Sequence, residues 1–317
     1  MPATNKSSPT HRRAWLELIR LRELPAVIAD PLAGAVIAGA TWRQAHMVVL
    51  VMLASAMLWA GAAALGDWAN LSRDRTRRPS RPLPSRRINR WHAMIAGLAL
   101  LAASVSVADS ASQTATRVTF VMIAVVGLGR FLLHEVPIAF PLEGAFRALN
   151  LLLGMVLVPI VASPAHIGVR IYLMITIGLY ATGLTLLLEP DVHRYRSSRL
   201  ITIAPLIVLP GLMIVALPLI CSAAAVSFMG LLWAGLALAG VGYCLTQAIL
   251  APAGRTVLRA IDVTALGAVL LNSAAAAYMR HPAASILLAA SLVPAVWVMW
   301  HTSRASQDAS STNSSNT

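Results

Sequence analysis

The chain has 317 residues, 58% of them hydrophobic and only 12% charged, with a mean hydropathy of +0.72. Soluble domains carry about 25% charged residues, so the composition excludes a soluble enzyme, a disordered chain and a nucleic-acid binder of the usual kind. The net charge of +13 does not reopen the last of these. Eight arginines (Arg73, Arg75, Arg77, Arg78, Arg81, Arg86, Arg87 and Arg90) crowd one loop, and most other basic residues flank apolar segments. Positive charge gathered on alternate loops is the mark of the positive-inside rule. A base-stacking platform needs interleaved aromatics, and only Trp68 and Trp91 stand at this loop's edges.

In chain order, Met1–Thr10 is polar. Residues His11–Arg22 mix Trp15, Leu16, Leu18, Ile19 and Leu21 with arginines, which predicts an interfacial helix on an anionic surface. Ten apolar segments follow, at 24–42, 46–66, 91–109, 117–133, 146–163, 169–188, 200–220, 226–250, 260–279 and 283–300. Each approaches the roughly 20 residues that span a bilayer as a helix. The basic stretch before the first one, and its interruption at Asp30-Pro31, do not fit a cleavable signal, so that helix is expected to stay in the membrane. The expected fold is an all-α bundle of nine or ten membrane helices, the 260–279 segment being a possible re-entrant piece because it carries Asp262 and Asn272. Three regions are expected: 1–22 cytoplasmic and interfacial, 23–302 transmembrane, and 303–317 a Ser/Thr/Asn-rich tail. With a cytoplasmic N-terminus, 21 basic residues fall on the inner side and four, Arg43, Arg117, Arg170 and Arg280, on the outer. That asymmetry predicts a multi-pass cell-membrane protein with a cytoplasmic 67–90 loop. Cys221 and Cys244 lie in apolar surroundings without ligand spacing and are expected to pack.

The most informative stretch runs Gly66-Asp67-Trp68-Ala69-Asn70-Leu71-Ser72-Arg73-Asp74, followed by Arg78-Pro79-Ser80-Arg81-Pro82-Leu83-Pro84-Ser85. On a continuing helix, positions 67, 70 and 74 fall within about 60° of one another. Two carboxylates and a carboxamide on one face suit Mg²⁺, which keeps waters and is shared with substrate phosphates. Nearby arginines can hold phosphate in fork geometry. The competing reading is a solvated cap, with Asp67 and Asp74 paired to Arg73, Arg77 and Arg78. The proline-rich segment favours function, since proline restrains the backbone that presents the arginines.

These two motifs resemble the UbiA superfamily of intramembrane prenyltransferases, whose pattern is Asn-Asp-x-x-Asp-x-x-x-Asp followed by Arg-Pro-x-Arg-Pro-x-Pro-Ser. Gly66 stands at the Asn position and Asn70 at an Asp position, while Asp67, Asp74 and the segment Arg78–Ser85 match. The stretch Gly144-Ala145-Phe146-Arg147-Ala148-Leu149-Asn150, ending at Gly154, is similar to the branch encoded in bacterial ebo clusters, as is Leu24-Pro25 with Ala29-Asp30-Pro31-Leu32-Ala33-Gly34. The resemblance extends over residues 15–300. It implies Mg²⁺ on Asp67, Asn70 and Asp74, these three being the catalytic set, with Arg78, Arg81, Arg147 and Asn150 on the substrate diphosphate. The second acidic motif of the superfamily is replaced by Leu188-Glu189-Pro190-Asp191, whose spacing differs, and His134 falls near a position often held by Lys in the ebo branch.

Asp30 sits inside the first apolar segment, where an unpaired charge costs about 2.5–3.5 kcal/mol on insertion scales. It therefore faces a cavity or a partner, unless Pro31 marks a helix start at the interface. Asp30, Glu189 and Asp191 are candidate cavity residues. Arg147 is expected at the start of its helix, either snorkelling or binding diphosphate. The function implied is transfer of an isoprenyl group from a prenyl diphosphate to a small acceptor, aromatic ones included. The alternatives are a diphosphate or lipid carrier that has lost its chemistry, and a small-solute permease. A CDP-alcohol phosphotransferase is disfavoured, because its Asp-x-x-Asp-Gly-x-x-Ala-Arg pattern is missing.

Overall fold

The computed structural model describes residues 11–21, 23–129, 139–160, 166–188, 197–221, 224–279 and 281–293. Among them the regular structure is entirely helical: α1 (His11–Leu18), α2 (Leu24–Ile37), α3 (Ala45–Ala69), α4 (Leu71–Arg77), α5 (Arg90–Ala111), α6 (Gln113–Gly127), α7 (Ala139–Met155), α8 (Ile167–Leu187), α9 (Ser197–Ile220), α10 (Phe228–Leu250), α11 (Gly254–Tyr278) and α12 (Pro282–Ala290). A short 3₁₀ turn, Trp42–Gln44, leads into α3. Six stretches of the described chain, Trp42–Ala69 and helices α5, α8, α9, α10 and α11, are long and apolar enough to cross a membrane. Their outward faces expose Ile95, Ile171, Leu209, Leu236 and similar side chains, which a bilayer would cover.

The bundle has two cores that share a central pair of helices. Leu58, Trp59, Met122, Phe146 and Leu153 centre one core, formed by α2, α3, α5, α6 and α7. Ile177, Tyr180, Ile207, Leu271 and Tyr278 belong to the other, formed chiefly by α8, α9, α10 and α11. Leu32 of α2 and Leu152 of α7 touch both. The two helices meet backbone to backbone: a methyl group at Gly34 would overlap the Leu151 carbonyl oxygen, and one at Gly154 would overlap that of Pro31. Such small-residue contacts bring membrane helices close where packing, not water, drives association. A third, small cluster joins α1 to the loop between α4 and α5 through Ala14, Leu18, Ala64, Leu83, Ile88 and Ala93. The apolar side of α1 is thus spent on protein.

Several expectations move. Pro31 does not start a helix but lies inside α2. Helix α7 begins at Ala139, so Arg147 is two turns inside it instead of at its start. Glu143, ahead of the expected segment, is already helical, and its field reaches Arg20. The first segment stops at Ile37, and Gly39 turns the chain at φ 87°. The segment carrying Asp262 and Asn272 is one unbroken helix of 25 residues, not a re-entrant piece.

Candidate active site

Helix α3 ends at Asn70, which stands between it and the short α4. This brief break leaves Asp67 and Asp74 on one side, 7% and 6% exposed. Beyond α4, the loop folds back over them. Leu83 and Ile88 anchor it in the small cluster, the Ser85 hydroxyl donates to the Arg81 carbonyl at 2.6 Å, and Arg87 donates to the Ser80 carbonyl at 2.7 Å. Arg87 also reaches Glu17 of α1 at 2.8 Å. The proline-rich segment is therefore a folded strap, and its product is the placement of Arg81.

One nitrogen of Arg81 touches both aspartates, Nη1 lying 3.0 Å from Asp67 Oδ1 and 2.9 Å from Asp74 Oδ2. The guanidinium occupies the point where two carboxylates converge. Arg20 adds a second cation, 3.6 Å from Asp67 and 3.9 Å from Glu23. Burial works against the charge of Arg20, but the carboxylates of Glu23, Asp67 and Glu143 outweigh it and raise its pKa. Arg20 escaped the sequence reading, because it belongs to a run of interfacial residues with no motif; its left-handed φ of 54° turns the chain out of α1. Desolvation, then repulsion from Arg81, holds the exposed Arg78 below its ordinary value. An anion beside it would relieve both effects.

Asp67 and Asp74 pair with Arg81 and Arg20 and are nearly buried, not the solvated cap of the competing reading. Asn70 is half-buried, and its amide donates to the Gly66 carbonyl at 2.9 Å, leaving its oxygen as the atom with ligand capacity. Among the described residues, no three or more His, Cys, Asp or Glu side chains gather as a metal site. What the chain offers is two carboxylates already sharing one cation position, plus a carboxamide. That set fits Mg²⁺ holding several waters and shared phosphates, not a closed protein cage. Glu189, Asp191 and His134 lie outside the described residues.

Asp30, Arg147 and Asn150 form a second polar centre, deeper in the bundle. Asp30 is fully buried; its Oδ2 receives Arg147 Nε at 2.9 Å and its Oδ1 receives Asn272 Nδ2 at 3.1 Å. Asn150 was expected on diphosphate, but it is fully buried and otherwise engaged. Its amide donates to the Val27 carbonyl at 2.7 Å, and its oxygen accepts from Ser55 at 2.7 Å. The reason lies in Pro31. Proline has no N–H, so the carbonyl four residues earlier loses its helical donor, and Asn150 supplies the replacement from α7. Arg147 is 14% exposed in its side chain and neutralised by Asp30. Glu143, one turn from Arg147, acts on Arg20, which in turn pairs with Asp67, so the two polar centres are linked by charge.

No protein-family model matches the chain. The digeranylgeranylglyceryl phosphate synthase of Methanothrix thermoacetophila is 32% identical over 99 residues, covering 31% of this chain and 37% of that protein. The synthase of the same name from Ignicoccus hospitalis is 34% identical over 91 residues, 28% of this chain and 29% of that one. The chain therefore aligns with little more than a third of these relatives' length. Whole-chain likeness comes from solved structures. A digeranylgeranylglyceryl phosphate synthase gives a TM-score of 0.62 at 17% identity, covering 86% of this chain and 99% of that one. An apo UbiA homologue from Aeropyrum pernix K1 gives 0.63 at 13% identity, covering 81% and 97%. A UbiA homologue from Archaeoglobus fulgidus bound to DMAPP and Mg²⁺ gives 0.58 at 13%, covering 84% and 99%. The chain has the UbiA fold. The UbiA resemblance is borne out at the level of the fold, while these matches do not confirm the ebo-cluster branch.

Proposed function

We propose that this UbiA-type chain transfers an isoprenyl group from a prenyl diphosphate to an acceptor, at a membrane face we assign to the cytoplasm. The observation that carries the reading is the shared grip of Arg81 on Asp67 and Asp74, which brings two carboxylates and a movable cation to one point. The archaeal homologue with the same fold binds DMAPP and Mg²⁺, and the curated relatives are named synthases of a prenylated glyceryl phosphate. In this chain Mg²⁺ would be held by Asp67 and Asp74 with the Asn70 oxygen, and would supply charge neutralisation for a diphosphate leaving group.

The chain's own residues complete the chemistry. Arg81, released from the carboxylates, and Arg78, exposed beside it, take the non-bridging phosphate oxygens as negative charge grows there. Arg20, paired to Asp67, orients that carboxylate. The prenyl tail lies among apolar helices, and exclusion of water protects the allylic cation from hydrolysis. Arg147, paired to Asp30, is a further cation for the diphosphate.

A carrier that grips diphosphate without cleaving it is the second reading, favoured by Asn70 in place of a carboxylate. Purified protein supplied with labelled prenyl diphosphates of several lengths, Mg²⁺ and membrane lipid extract separates the two. An enzyme moves label into a new lipid-soluble product and releases diphosphate. Saturable binding without either product overturns transfer in favour of the carrier.

A further inference from the structure

Residues 68, 71, 72 and 75 interleave with 67, 70 and 74, so the turns that present the carboxylates also present a second face. There the protein has a cavity of about 340 Å³ lined by Trp68, Leu71, Ser72, Arg75, Arg90 and Trp91. The volume lies in the range of small-molecule sites, and no acidic residue lines it. The Arg90 guanidinium stands 4.9 Å over the Trp91 ring, a cation–π contact that holds it beside the cavity. Arg75 and Ser72 are exposed on α4.

Position identifies the occupant. The cavity lies where α3 ends at Ala69 and α5 begins at Arg90, and both helices are long and apolar enough to cross a membrane. Tryptophan and arginine at helix ends mark the headgroup level of a bilayer. Below the cavity, Trp91, Ile95 and Leu98 are exposed at i, i+4 and i+7 spacing, a continuous apolar stripe down one side of α5. A cationic cavity capping an apolar stripe matches a molecule with a phosphate at one end and a hydrocarbon chain at the other. A free phosphate would use only the upper half.

We propose that this cavity binds an anionic phospholipid, its phosphate between Arg75 and Arg90 and an acyl chain along Trp91, Ile95 and Leu98. Occupancy ties α4, which carries Asp74, to the bilayer surface. The site stands apart from the carboxylate pair and does not depend on the transferase reading.

Purified full-length protein in nonionic detergent is titrated with dihexanoyl phosphatidylglycerol and with dihexanoyl phosphatidylcholine, bound lipid being counted by native mass spectrometry. The proposal predicts about thirtyfold tighter retention of phosphatidylglycerol, as two favourably placed arginines supply. Arg75→Gln/Arg90→Gln should bring it to the phosphatidylcholine level. Ser72→Phe, which fills the cavity without removing charge, should do the same, and each variant's melting temperature reports folding. Arg43→Gln/Arg86→Gln makes an equal charge change elsewhere and should leave retention unchanged. Equal retention of both lipids, an equal loss in the control variant, or displacement by millimolar inorganic phosphate would overturn the assignment.

Discussion

Arg81 stabilises the protein by standing between two carboxylates that would otherwise repel each other in a poorly hydrated place. Removing one partner of a buried charge cluster costs about 3–5 kcal/mol, and less here because the Arg81 side chain is 27% exposed. Arg81→Ala should therefore lower the melting temperature in the presence of a chelator, and millimolar Mg²⁺ should recover much of the loss by supplying the missing positive charge. Thermal unfolding with and without Mg²⁺ checks this; an equal Mg²⁺ shift in variant and wild type would mean that the carboxylates do not share a cation position. Asn70 poses the converse case. Asn70→Asp gives the site a third carboxylate but removes the amide that donates to Gly66. Loss of that hydrogen bond should cost about 1 kcal/mol in chelator, while calorimetric Mg²⁺ affinity should rise. Unchanged affinity would take Asn70 out of the metal set.

At the scale of elements, α2 is a helix with a missing rung, repaired from α7. The sequence displays Asp30-Pro31 and Arg147 with Asn150 as two separate oddities, and nothing in their spacing joins one to the other. Proline read alone favours a helix start, which is why its interior position went unforeseen; the compensating Asn150 lies more than a hundred positions along the chain. The pairing yields a prediction with a built-in rescue. Asn150→Leu leaves the buried Val27 carbonyl short of its main donor, at about 1–3 kcal/mol. Pro31→Ala restores an N–H that can bond Val27 within the helix, so the double variant Asn150→Leu/Pro31→Ala should recover a substantial part of that loss. Melting temperatures of the four proteins in detergent measure the coupling. Strictly additive losses would show that Asn150 acts elsewhere. The apolar helices, by contrast, were legible from the sequence, because apolar length is a local property; the ten expected segments each overlap one of α2, α3 and α5–α12, and six of these lie in described stretches long and apolar enough to cross a membrane.

The whole molecule sets the Asp67–Asp74 pair at one end of the bundle, under a strap that α1 fastens from outside. The carboxylates and the proline-rich segment were legible as a motif, since a helix and its following loop are contiguous. Arg20 was not, because only the docking of α1 through Ala14 and Leu18 brings it to Asp67. The basic loop should face the cytoplasm. Cysteine placed at the exposed Ser80 in a chain whose Cys221 and Cys244 are replaced by alanine should react with an impermeant maleimide only after cells are opened. Reaction in intact cells would invert the topology and with it the side from which diphosphate enters.

The central claim is that Asp67 and Asp74 grip a prenyl diphosphate through Mg²⁺, and equilibrium binding of a non-reactive geranyl thiodiphosphate tests it most directly. The account predicts saturable binding to the purified protein that requires Mg²⁺, and its loss in both Asp67→Ala and Asp74→Ala, with the variants shown to be folded by thermal unfolding. Binding that persists with equal affinity in chelator, or in either folded aspartate variant, would contradict it.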